Sequence, residues 1–246
     1  MNSLKNKVAF ITGGSRGIGA AIAMRLAQEG ANVAFTFVRS EGCAKNLVAR
    51  IEALGVHARS LRVDSADASE LSAAIQKVGD SMGRFDILIN NAAIYDLKSV
   101  EEFSLQDFDR HIDVNVRSVF AAIKASVPMM QPGGRIVTIG SNIAERVSRP
   151  GLSLFAMTKA ALIGMTKGAA RDLGARGITV NVIQPGSTDT DSNPANGPGA
   201  AYQLAARAIP SFNAAEEVAG LVFYLVSAEA KSITGSVLTI DGGANA

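Results

Sequence analysis

Short apolar runs alternate with longer stretches whose apolar positions recur every three or four residues, and the pattern continues along the whole chain. KVAFIT (7–12) predicts a first strand. After a glycine-rich turn, Ile18, Ile22 and Leu26 share one face of a predicted helix over 17–29, which Gly30 ends like a C-terminal cap. NVAFTFV (32–38) predicts the second strand, and 42–54 the second helix, ending at Gly55. HARSLRV (57–63) and 67–82 predict the third strand and helix, and FDILINN (85–91) the fourth strand. A long helix is predicted from Leu105 toward Met130, opened by Ser104 with Asp107 three residues on, a pairing like a capping box. RIVTIG (135–140), a helix over 152–174 and the strand ITVNVIQ (178–184) follow. Asn213 with Glu216 predicts the cap of a helix over 214–228, and VLTIDGG (237–243) the last strand.

Strand and helix alternating this many times predict right-handed βαβ units, a parallel sheet and helices on both of its faces. The strands are nearly continuous apolar runs, as expected when both sheet faces are covered. With no linker, repeat or low-complexity stretch, residues 1–246 read as one doubly wound α/β domain. Its irregular piece, 185–212, holds four of the seven prolines and predicts a substrate lid; the alternative is a surface loop.

Composition narrows the function classes. The 246 residues carry 24 basic and 22 acidic side chains, too even a balance for a nucleic-acid binder with a concentrated basic face. At 48% hydrophobic and 19% charged, the chain has the profile of a compact protein, expected to bury roughly three-quarters of its unfolded surface. No window reaches about 18 consecutive apolar residues, so no membrane span is expected. Cys43 is the one cysteine, which fits a reducing compartment, and with His57 and His111 it cannot build a His/Cys zinc site. The opening MNSLKNKVAFITGG lacks a signal-peptide pattern, and a cytoplasmic location is expected.

Candidate chemistry begins at Thr12-Gly13-Gly14-Ser15-Arg16-Gly17-Ile18-Gly19, between the first strand and first helix. Glycines there allow a sharp turn and close backbone approach to a pyrophosphate, while the helix start offers free N–H groups. The spacing is G-x-x-x-G-x-G rather than the standard dinucleotide fingerprint. A carboxylate ending the second strand would select NAD; here Phe37-Val38-Arg39-Ser40 has none before Glu41. Arg39, Ser40 and Arg16 suit a 2′-phosphate, so NADP is the expected cofactor; otherwise Arg39 is a solvated charge. Asp64, with Ser65 beside it, could accept from an adenine amino group or cap the next helix.

TGGSRGIG, Asn90-Asn91-Ala92-Ala93, Asn115, Ser141, Lys159 and Pro185-Gly186 occur in this order along essentially the whole chain. Together they resemble the classical short-chain dehydrogenase/reductase family. The resemblance implies a seven-stranded Rossmann fold, NADP(H), and hydride transfer between nicotinamide and a ketone or secondary alcohol. It also implies a homotetramer or homodimer. In that likeness Asn91, Ala92 and Ala93 lie beside the cofactor, with Ala93 where glycine is usual. Pro185, Gly186, Thr188 and Thr190 look like the segment that holds the carboxamide. Ser141 holds the substrate oxygen, and Asn115 supports a water relay to Lys159.

The family's Tyr-x-x-x-Lys signature reads here Phe155-Ala156-Met157-Thr158-Lys159. Phenylalanine keeps the ring and loses the proton that tyrosine would donate, for an expected loss of roughly 10²–10⁴ in rate. Phe155 fits an engineered change, a natural enzyme using another acid such as water, or a non-catalytic relative; intact Ser141, Lys159 and Asn115 favour the first. The implied substrate walls come from Ile94, Tyr95, Ser141, Asn142, Glu145, Phe155, Tyr202 and Phe212. Tyr202 either meets substrate or packs the lid. Asp189 and Asp191 read as loop solvation and capping rather than a metal or acid–base pair, and Met129 and Met130 as packing or subunit contact. A second reading remains: QPGSTDTDSNPANGP and GGSRGIGAAI also look like a cyclic-di-GMP-binding member of the family, with the dinucleotide on the phosphate end and little catalysis. A non-catalytic subunit of a hetero-oligomer is the third, which the intact glycine turn argues against.

Overall fold

A computed structural model describes residues 3–246. In chain order the strands and helices are β1 (Val8–Ile11), α1 (Gly17–Gln28), β2 (Asn32–Phe37), α2 (Glu41–Glu52), β3 (Ala58–Arg62), α3 (Ala68–Met82) and β4 (Phe85–Asn90). Then come α4 (Leu105–Ile112), α5 (Ser118–Ser126), β5 (Met130–Ile139), α6 (Ser153–Leu173), β6 (Thr179–Pro185), α7 (Ala200–Ala205), α8 (Ala215–Val226) and β7 (Val237–Ile240). All seven strands are parallel, in the order β3-β2-β1-β4-β5-β6-β7. This is the expected single-domain Rossmann architecture.

Alternation along each strand explains the two cores. Ala9, Ile11, Val33, Phe35, Ile87 and Ile89 pack with Ile22 and Leu26 of α1, Leu47 of α2 and Val222 of α8. Their neighbours Val8, Phe10, Ala34 and Leu88 pack with Leu71 and Ile75 of α3, Val119 of α5 and Leu162 of α6. Successive residues point to opposite faces, and helices cover both, so every position of β1 is apolar and buried. Met129 packs its sulfur against α3 at Gly79, and Met130 is buried in β5, so both serve packing.

Four expectations need correction. The helix predicted from Leu105 toward Met130 is not uniform: α4 passes through a π turn at Asp113–Arg117 into α5, and a 3-10 turn at Val127–Met129 ends it. The segment 185–212 is not wholly irregular, because Pro185 ends β6 and α7 lies within it. Asp64 does not cap α3; Asp67 does, accepting from the Ser69 and Glu70 N–H groups at 2.9 Å each. Asn213 does not cap α8. The Glu217 carboxylate instead accepts from the Ala214 N–H at 2.6 Å, while the Asn213 amide donates to the Ile240 carbonyl and accepts from Arg207.

Candidate active site

The strand order reverses at β1, which β2 and β4 flank on either side. Open parallel sheets form a ligand crevice at such a point, beyond the carboxyl ends of the strands. A cleft of about 460 Å³ lies there, walled by the segments that follow β1, β2, β3, β4 and β6. It collects Gly13, Ser15, Arg16, Gly17, Ile18, Gly19, Arg39, Ser40, Asp64, Ser65, Asn91, Ala92, Ala93 and Thr190, all expected from the sequence.

The turn after β1 is fixed by close approach. Gly13 has φ +64, and a Cβ on Gly19 would lie 2.4 Å from the Gly13 carbonyl oxygen. Asn91 locks the turn from β4, donating from its amide to the Thr12 and Gly13 carbonyls at 3.1 and 2.9 Å. The Thr12 hydroxyl accepts from the Asn91 and Ala92 N–H groups. No side chain caps the first turn of α1 and no acid sits in it, so its N–H groups are available to an anion. Beyond β2 the first acid, Glu41, is paired with Lys45 at 2.8 Å, which lowers its pKa. These features fit a dinucleotide carrying a 2′-phosphate.

A second cavity of about 710 Å³ shares Arg16, Ala93, Ile94, Arg110 and Ser192 with this cleft. Its wall holds Ile94, Tyr95, Ser141, Asn142, Phe155, Gly186 and Tyr202, as expected. Glu145 and Phe212 are not on it: Glu145 is exposed outside the wall, which Arg146 and Arg149 supply instead. Tyr202 does both things considered for it, lining the cavity and donating its hydroxyl to the Ser148 carbonyl.

One helical turn separates Phe155 and Lys159 on α6, so both lie on one face of the helix. The Lys159 Nζ lies 5.5 Å from the Phe155 ring centroid and donates to the Ile139 carbonyl at 2.8 Å. Burial without a carboxylate partner lowers the lysine pKa to about 8. Tyr95 meets Phe155 edge-on at 5.1 Å. The Ser141 hydroxyl accepts from the Ile143 N–H, leaving its own proton free to donate. Buried Asn115 sits in the π turn, a distortion frequent at functional sites. Its side chain accepts from the Ile94 N–H and donates to the Ile94 carbonyl and the Thr158 hydroxyl, tying the loop after β4 to α6. Pro185, Thr188 and Lys159 are buried outside both cavity walls, Thr188 donating to the Gly186 carbonyl. Sequence reasoning missed Arg110, Arg146 and Arg149 on the walls, and Arg207, which pins the segment after β6 through the Ser187 carbonyl and Asn213. Asp189 accepts from the Ala195 N–H, and among the described residues no cluster of His, Cys, Asp and Glu could hold a metal. No helix among them is long and apolar enough to cross a membrane.

A seven-stranded Rossmann sheet with a cleft at its switch point, joined to a second cavity that bears Ser141, defines a dinucleotide-binding class of α/β protein. The comparisons agree: residues 13–245 match the family model described as Enoyl-(Acyl carrier protein) reductase. A short-chain dehydrogenase of Burkholderia cenocepacia J2315, solved in complex with NADP, is 51% identical. It superposes with a TM-score of 0.98 over 99% of this chain and 100% of that one. The cyclic-di-GMP-binding biofilm dispersal mediator protein of Escherichia coli (strain K12) is 41% identical over 98% of each chain. The 3-oxoacyl-[acyl-carrier-protein] reductase FabG of Staphylococcus aureus is 38% identical over 96% of this chain and 97% of its own. The chain belongs to the classical short-chain dehydrogenase/reductase family.

Proposed function

We propose that this protein binds NADP(H) on the plan of a carbonyl reductase or secondary-alcohol dehydrogenase, with proton donation impaired at Phe155. The observation that carries the reading is the sharing of residues between the two cavities, one open to the first turn of α1 and the other bearing Ser141 and Phe155 beside Lys159. The NADP complex of the Burkholderia relative supports the cofactor assignment. When bound, the nicotinamide supplies or accepts the hydride. The α1 N–H groups hold the pyrophosphate, and Arg39, Ser40 and Arg16 hold the 2′-phosphate. Gly186 and Thr190, with Pro185 and Thr188 behind them, hold the carboxamide end.

Within the second cavity Ser141 donates to the substrate oxygen and orients the carbonyl. Lys159 supplies the positive charge that would make a phenol at position 155 acidic. Phe155 has no proton to give, so the oxygen takes one only from water, at a loss of roughly 10²–10⁴ in rate. Asn115 acts as a positioning residue through Ile94 and Thr158. A homotetramer or homodimer belongs to this reading, supported by the exposed Phe108 of α4 and Phe120 of α5. So does a reducing, cytoplasmic setting, supported by the lone exposed Cys43.

The 41% identity with the cyclic-di-GMP-binding relative favours a second reading, in which that dinucleotide takes the phosphate end and catalysis is minor. Titration of NADPH by its fluorescence, repeated with equimolar cyclic-di-GMP, separates them. The first reading predicts saturable NADPH binding that the second nucleotide leaves intact; displacement of NADPH would favour the second.

A further inference from the structure

We infer that the second cavity takes an anionic ketone, a small carbonyl compound carrying a carboxylate or phosphate, whose anion Arg146 and Arg149 hold. The inference rests on the carbonyl-site reading above. The chain's net charge is only +2, yet this one wall carries Arg16, Arg110, Arg146 and Arg149 against a single carboxylate among the described residues, Asp96. Asp96 lies 3.7 Å from Nε2 of the buried His111. None of the four arginines forms an ion pair among the described residues.

The four divide by position. Arg16 and Arg110 also line the nucleotide cleft, whereas Arg146 and Arg149 line only the second cavity. Both follow Ser141 closely in the chain, so the segment that orients the carbonyl also carries the charge. Each guanidinium is steadied by a neutral acceptor: Arg146 Nη1 donates to the Ala244 carbonyl at 2.8 Å, and Arg149 Nη2 to the Tyr95 hydroxyl. One donor of five is engaged on each by these contacts, and a head group already ordered loses less entropy on binding. Tyr95 in turn meets Phe155 edge-on, which links the anion end of the cavity to its carbonyl end. A neutral ligand would leave these cations without a counter-charge, whereas an anion gains charge-assisted hydrogen bonds from them. About 710 Å³ is ample for a small molecule of this kind.

The test is calorimetry on the NADPH-loaded protein with 4-acetylbenzoate and its uncharged methyl ester. The acid is expected to bind about tenfold tighter or more. Its advantage should shrink with added salt and vanish in an Arg146→Gln/Arg149→Gln variant, while Arg149→Lys retains much of it. NADPH binding, measured alongside, reports that each variant is folded. Equal affinity for acid and ester, a preference that survives the double substitution, or no binding of either overturns the inference. Two further arms separate it from the carbonyl-site reading. If 4-methylbenzoate, which has no ketone, binds through the same arginines while a Phe155→Tyr variant reduces no ketone, the charged site stands and the carbonyl reading falls. If that variant reduces acid and ester equally well, the carbonyl reading stands and the anion site falls.

Discussion

Phe155 and Lys159 lie one helical turn apart on α6, with the lysine Nζ 5.5 Å from the ring centroid, and the proposed reading turns on that pair. Lys159 is buried with the Ile139 carbonyl as its one hydrogen-bond partner among the described residues, and its pKa is lowered to about 8. Below pH 8 both folded and unfolded chains hold this proton, and the folded chain bears the cost of a buried charge. Between about 8 and the ordinary lysine value the unfolded chain binds more protons, so stability rises with pH. Unfolding midpoints of the natural lysine and a Lys159→Met variant should therefore converge or cross as pH climbs from 8 to 10. A pH-independent gap would contradict a buried lysine that loses its proton. On the nucleotide side, Arg39 follows β2 with no acid between Phe37 and Ser40. Arg39→Glu should weaken NADPH about tenfold or more while sparing NADH, as read by the ratio of the two dissociation constants.

Among the elements, α4 shows how local sequence reaches the site. Ser104 accepts from the Asp107 N–H at 3.1 Å, and the Asp107 carboxylate accepts from the Ser104 N–H at 2.9 Å. This capping box, legible from four residues, starts the helix that leads into the π turn holding Asn115. Ser104→Ala should cost about 1 kcal/mol, read as a fall in Tm of about 2–4 °C. The Ser104 N–H, then Lys98, hold the Asp107 carboxyl down at about 2. Its stabilising share is thus present in full above the usual aspartate range and is lost as pH falls from there through about 2. The cap of α8 was less legible. Asn213 is a good capping residue by type, but Arg207 and the Ile240 carbonyl claim its side chain. Contacts across six and 27 residues decide that, and no capping pattern carries them. The arginine wall is hidden for the same reason: Arg16 follows β1, Arg110 lies on α4 and Arg146 follows β5, and they line one cavity only once the sheet is built. The two-sided core, by contrast, is written directly in the strands, because buried parallel strands need apolar residues at both parities.

At the scale of the whole molecule, the nucleotide cleft is lined by the segments that follow β1, β2, β3, β4 and β6, so a ligand there ties together five of the seven strands. A ligand that binds only the folded chain adds about 2.7 kcal/mol of stability at a hundredfold excess over its dissociation constant. For a chain of this size NADPH at that excess should raise Tm by about 5–10 °C. Thermal scans with and without it provide the check; no shift would remove the cofactor from the account. On the proposed reading, Ser141, Asn115 and Lys159 surround a position whose phenylalanine has no proton to donate. The most direct measurement is NADPH-dependent ketone reduction by Phe155→Tyr beside the unaltered chain, at matched cofactor saturation. The account predicts a rise in kcat of roughly 10²–10⁴ with NADPH affinity nearly unchanged. Equal rates in the two proteins would contradict it.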